Sequence, residues 1–142
     1  MTLLQQAKQE WEVATKPYCK KHPISKFRPA FHIHEFRQYG KALAMLNWTG
    51  QYIEITKLET IEAGKGEATR LITFLKSISD KYQIPLCGHA RKYDPDSPIP
   101  SGHLLTKEQL ESFYVKQGFK LRTIDDNTSD MLYLPQSDVH AT

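Results

Sequence analysis

The stretch from Ile53 to Ile78, IEITKLETIEAGKGEATRLITFLKSI, constrains the fold of this chain more than any other. Its opening, Tyr52 to Leu58, alternates and is rich in Ile and Thr, residue types that suit a pleated, half-buried surface. Gly64-Lys65-Gly66 breaks the strand, because glycine reaches the positive-φ or close-approach backbone that a sharp turn needs. Ala68, Leu71, Ile72, Leu75 and Ile78 then recur at helical spacing and predict a helix with one apolar face. A helix starting at Gly66 leaves its first amides unpaired and aimed back at the turn. Together with the positive end of the helix dipole, they make a seat for phosphate.

Phosphate-binding signatures of this outline can be told apart. The NTPase loop needs Lys-Ser or Lys-Thr after its glycines, and neither is present. The dinucleotide fingerprint needs a third glycine where this chain has Thr69. Ala63-Gly64-Lys65-Gly66-Glu67-Ala68 instead resembles the acyl-coenzyme A loop of the GNAT superfamily of N-acetyltransferases, written [Q/R]-x-x-G-x-[G/A]. Gly66 and Ala68 fit its last two defined positions. Ala63 stands where Arg or Gln is usual, and Glu67 where an aliphatic residue is. A second block, Leu110 to Phe119 (LESFYVKQGF), is similar to the family's later L-x-x-F-Y-x-x-x-G-F segment. Two motifs in the family's order are far more specific than either one, and the resemblance covers about Ala42 to Leu134.

The resemblance implies an α/β (α+β) fold: a mixed, mostly antiparallel twisted sheet, flanked by helices, with one parallel pair splayed for acyl-CoA. The pantetheine arm would enter beside Leu58, Glu59 and Thr60, and the pyrophosphate would rest on Gly64, Lys65, Gly66, Glu67, Ala68 and Thr69. Lys65 adds positive charge there, the Thr69 hydroxyl can donate, and Lys116 completes the cofactor-binding set. Glu67 must turn to solvent, since a carboxylate facing phosphate is repelled. Tyr114 falls where many members carry a tyrosine near the sulfur, which assigns it as general acid; the plainer reading is a core residue beside Phe113. Glu54 and Glu59 lie on the strand that often bears a glutamate base, or simply face solvent.

Thr2 to Thr15 is expected to be an amphipathic helix with Leu4, Ala7, Trp11 and Ala14 on one side, ended by Pro17. Tyr18 to Pro29 is expected to be a basic loop, so residues 1–30 depart from the family's usual opening. Phe31 to Arg37 is a candidate strand. Ala42–Trp48 and Tyr52–Leu58 predict a hairpin around Thr49-Gly50. Leu86 to Ala90 predicts a short strand parallel to the central one, because a helix intervenes. Arg91 to His103, with its prolines, is a loop. Thr106 with Gln109 forms a capping box, Leu105 with Leu110 a hydrophobic staple, and Gly118 closes the helix. Phe119–Thr123 and Met131–Leu134 are expected as a final pair of strands around the polar Asp125-Asp126-Asn127-Thr128 turn, with Ser137 to Thr142 as a tail.

At 142 residues the chain is expected to form one domain, and 39% hydrophobic with 25% charged residues is ordinary for a soluble globular protein. Its net charge of +3 does not argue for nucleic acid, although salt-dependent binding through Lys16, Lys20, Lys21, Lys26 and Arg28 is one testable alternative. Cys19 and Cys87 make no disulfide framework, and no signal peptide or membrane-spanning run is read. A cytoplasmic location is the default. His32 and His34 share one face of their strand, but no third ligand follows at a recognisable spacing, so no metal is assigned. His34, His89 and Tyr93 are candidate acceptor-binding residues, and Asp94 and Asp96 would suit a cationic amine; solvent-facing residues are the plainer reading. The leading expectation is an N-acetyltransferase that passes acetyl from acetyl-CoA directly to a primary amine, because no Cys or Ser pairs with a base. The length and ending also resemble small phage-borne acetyltransferases, some of which modify a protein lysine. The alternative is a non-catalytic module of the same fold that binds CoA or a protein partner. Oligomeric state is left open, a homodimer included.

Overall fold

A computed structural model describes residues 1–22, 31–61, 65–91, 107–126 and 128–136. The first helix, α1 (Leu3–Ala14), starts at a capping box in which the Thr2 hydroxyl accepts from the Gln5 amide and the Gln5 side chain accepts from the Thr2 amide. Ala7 and Trp11 are buried as expected, but Ala14 is exposed. Thr15 takes its place: its hydroxyl donates to the Trp11 carbonyl at 2.7 Å and accepts from Arg37 Nε at 2.7 Å. The Arg37 guanidinium also meets the carbonyls of Glu12 and Thr15, placing a cation at the negative end of the helix.

The expected basic loop after α1 begins instead as a strand, β1 (Lys16–His22), paired antiparallel with β2 (Phe31–Tyr39). Pro17 does not prevent this, because β1 is an edge strand and proline's missing N–H is tolerated there. A two-residue turn at Gly40-Lys41 leads to β3 (Ala42–Thr49), and Gly50-Gln51 turns the chain into β4 (Tyr52–Thr60). The helix α2 (Glu67–Tyr82) follows, then β5 (Leu86–Arg91), α3 (Lys107–Lys116), β6 (Lys120–Asp125) and β7 (Thr128–Tyr133). Residues 105 and 106 of the expected cap and staple, and nearly all of the proline-bearing loop, lie outside the described residues. The far end of α3 meets expectation: Gly118 has φ of +93°, and the Phe119 amide reaches back to the Tyr114 carbonyl at 3.0 Å.

Among the described residues seven strands form one sheet in the order β1-β2-β3-β4-β5-β7-β6. The β4–β5 pair is parallel and the other neighbours are antiparallel, which is the mixed sheet expected. Ile53 and Ile55 of β4, Leu86 of β5, and Met131 and Tyr133 of β7 enter one core with Leu71, Ile72, Leu75 and Ile78 of α2 and Tyr114 of α3. Strand side chains alternate, so all of these point to the helix-covered face. Glu54, Cys87, His89 and Asp130 therefore point to the other. The Asp80 carboxylate ties α2 to β7 by accepting from the Tyr133 hydroxyl at 2.8 Å and the Gln136 amide at 2.7 Å.

Candidate active site

The site begins where the sheet stops being regular. The register of β3 against β4 runs Met45↔Lys57 and then Leu46↔Ile55, which leaves Thr56 as an extra residue, a β-bulge. The Thr56 hydroxyl donates to the Met45 carbonyl at 2.7 Å and holds the bulge in place. The parallel ladder runs Ile53↔Leu86, Glu54↔Cys87 and Ile55↔Gly88, and it ends at the residue before that bulge. β4 continues to Thr60 against β3, while β5 continues to Arg91 against β7. Two neighbouring parallel strands thus part company. Gly88 sits at the last rung because a Cβ there would lie 3.3 Å from the Ile55 carbonyl oxygen.

At the far end of β4 the chain reaches the expected phosphate seat. Gly66 is the N-cap of α2, with φ of +73° and no side-chain cap. The Arg70 amide bonds to the Gly66 carbonyl at 3.1 Å, so the amides of Glu67, Ala68 and Thr69 form the open first turn. Lys65 and Thr69 are exposed beside it, and Ala68 is half-buried. Gly64 lies outside the described residues. Glu67 does not turn to solvent as expected. One of its carboxylate oxygens accepts from the Lys41 amide at 3.2 Å, the other pairs with the Arg70 guanidinium, and the side chain is 14% exposed. The charge is drawn to the β2–β3 turn and countered there.

Leu58 packs against the core on the helix side, whereas Glu59 stands opposite Leu43 and points to the other face. Thr60 is half-buried, and Lys116 is exposed in the last turn of α3. Tyr114 lies on the helix side, edge-on to both Phe113 and Phe119 and only 4% exposed. Burial raises its pKa well above the ordinary tyrosine range, so the hydroxyl keeps its proton. Among the described residues no hydrogen bond to that hydroxyl is found. Tyr114 and Glu54 are thus on opposite faces of the sheet.

On the face away from the helices, five strands bring together residues that the sequence presents singly or gives no sign of. His89 Nδ1 lies 2.8 Å from Asp130 Oδ1, across a rung of the β5–β7 ladder. His89 Nε2 lies 3.7 Å from Glu54 Oε2 on β4, and Glu54 Oε1 lies 3.4 Å from the Asn47 amide nitrogen. The Arg122 guanidinium meets the other oxygen of Asp130 at 2.7 Å. That guanidinium, with His89, holds the Asp130 carboxyl below its ordinary range and therefore ionised. Cys87 is half-buried on the same face, and burial followed by the charges of Glu54 and Asp130 pushes its thiol up, away from the nucleophilic thiolate. The rungs that join Asp130 and Arg122 to His89 have no local signal in the sequence. His34 belongs to β2, but its side chain, like all of Tyr93, lies outside what is described. Among the described residues no group of His, Cys, Asp or Glu could hold a metal ion, and no helix is long and apolar enough to cross a membrane.

No family model matches this chain, and no curated protein matches it. Its fold is similar to the crystal structure of the anti-CRISPR protein AcrVA5, with a TM-score of 0.51 at 16% identity. That likeness covers 66% of this chain and 92% of the other, and at such identity it concerns the fold alone.

Proposed function

We propose that this chain is an acetyl-CoA-dependent N-acetyltransferase that passes the acetyl group directly to a primary amine, with a protein lysine as acceptor. The observation that carries this reading is the opened β4–β5 pair, which leads to the uncapped glycine start of α2. Backbone of β4 beyond the bulge suits an amide-bearing arm. The first amides of α2, with exposed Lys65 and Thr69, suit a diphosphate. When bound, acetyl-CoA supplies the activated acetyl group. Tyr114 holds its proton at working pH and serves as the acid for the departing thiolate. The resemblance to small phage-borne acetyltransferases directs the first tests to protein lysines, and a cytoplasmic setting goes with the reading.

Calorimetry with acetyl-CoA, followed by intact-mass analysis of lysine-bearing acceptors with labelled donor, tests the proposal. Binding and label transfer are expected; absence of binding overturns it. A second reading, a non-catalytic module that binds CoA or a partner, draws on the fixed Glu67 carboxylate in the first turn of α2 and on Ala63 in place of Arg or Gln. Binding without turnover would support that reading.

A further inference from the structure

The array on the face away from the helices deepens this reading and rests on it, because it says where the acceptor docks. With its Nδ1 hydrogen directed at Asp130, a neutral His89 presents only a lone pair at Nε2. Facing that lone pair at 3.7 Å is Glu54 Oε2, which also only accepts. Two acceptors so placed call for a donor carrying several N–H bonds on one nitrogen. A nitrogen at ordinary hydrogen-bond distance from both, about 2.8 Å, fits over such a pair. Neither group is sealed off: the side chains are 38% and 31% exposed. Glu54 occupies the rung before the last of the parallel ladder, and His89 is the first residue of β5 beyond it, so the gap lies at the mouth of the parting strands.

We propose that a primary ammonium, such as a lysine side chain, docks between Glu54 Oε2 and His89 Nε2 and gives its proton to His89. Asp130, braced by Arg122, is a positioning residue that keeps the imidazole's lone pair facing the amine. The groups facing this imidazole are Glu54 from β4 and Asp130 from β7, with Arg122 of β6 behind Asp130 and the Cys87 thiol two residues back on β5.

The step balances. One ammonium proton passes to Nε2 and on to solvent. The freed nitrogen pair forms the N–C bond to the thioester carbonyl as the C–S bond breaks. The nitrogen sheds a second proton and the thiolate gains one from Tyr114, which is reprotonated in turn. One proton is released for each amide formed.

The test pairs kinetics with a measurement on the unaltered protein. His89→Gln should lower kcat on a lysine peptide by about 100-fold, the scale of lost proton transfer, with the KM for acetyl-CoA unchanged. His89→Ala should recover rate with added imidazole, in proportion to its free base, which a merely structural histidine would not do. Asp130→Asn should lower kcat by a smaller factor. In the unaltered protein, n-butylammonium should shift the His89 Nε2 resonance in nitrogen-15 spectra, and this reading stands even if the variants fail to fold. A His89→Gln enzyme within threefold of the original, failure of imidazole rescue in a folded variant, or an unmoved Nε2 resonance would each overturn the proposal. If acetyl-CoA neither binds nor reacts, the acetyltransferase reading fails by itself, and the resonance shift then decides the ammonium site.

Discussion

Gly40 is required by its own left-handed backbone, and a side chain far along the chain crowds it as well. A Cβ at that position would stand 2.9 Å from Glu67 Oε2, and Gly40 has φ of +60°. Gly40→Ala should lose about 1 kcal/mol from the left-handed backbone and a smaller amount from shifting the carboxylate. Urea denaturation should show that adding Glu67→Ala returns only the second part. Tyr114 tests differently. Its hydroxyl is buried with no hydrogen-bond partner among the described residues, so Tyr114→Phe should leave the urea midpoint unchanged or raised, stabilising by up to about 1 kcal/mol. Acetyl transfer should nevertheless collapse. A purely structural tyrosine would leave transfer intact. Glu54 and His89 were readable as candidates from residue type and strand position, but their proximity was not, because parity along a strand says nothing of which rung faces which.

At the scale of elements, one extra residue in β4 governs the site. The Thr56 hydroxyl bond to Met45 is local, yet the residues on either side of it decide where β4 leaves β5. Thr56→Val removes the hydrogen bond while keeping shape and should cost about 1 kcal/mol. Calorimetry should register weaker acetyl-CoA binding in that variant; unchanged affinity would mean that the bulge does not shape the site. The helical elements α1 and α2 were legible because apolar spacing and caps are local signals. β1 was not. Its lysines and Pro17 are poor strand formers, and only pairing with β2 at a sheet edge, together with Arg37 clamping the end of α1, makes an extended chain the better solution.

For the molecule as a whole, the three helices among the described residues share one core on one face of the sheet, and tyrosines help fasten them. Tyr133, 5% exposed, has its pKa pushed up to about 12, by burial first and then by its hydrogen bond to Asp80. Burial raises Tyr114 as well. In the unfolded chain both ionise near the ordinary value of 10.0. Above that pH the unfolded state loses protons that the folded state keeps, so stability falls as pH rises towards the folded value. Denaturation midpoints should therefore hold steady to about pH 9 and decline above about pH 10. Tyr133→Phe should lower the midpoint at neutral pH, by loss of the Asp80 bond, and flatten the alkaline decline. An equally steep decline in that variant would show that other groups control it.

Periodicity, glycine placement and caps are properties of neighbouring residues. The sequence alone therefore determined the strand–turn–helix at the centre, the parallel placement of β5, the apolar face of α2 and the close of α3. Tertiary structure decided what depends on register between distant strands. It set the end of the β4–β5 ladder beside Thr56, the capture of Glu67 by the β2–β3 turn, and the meeting of Glu54, His89, Asp130 and Arg122 from four strands. The physical reason is that a rung's partner is chosen by the packing of the whole sheet, and no short stretch of chain carries that information.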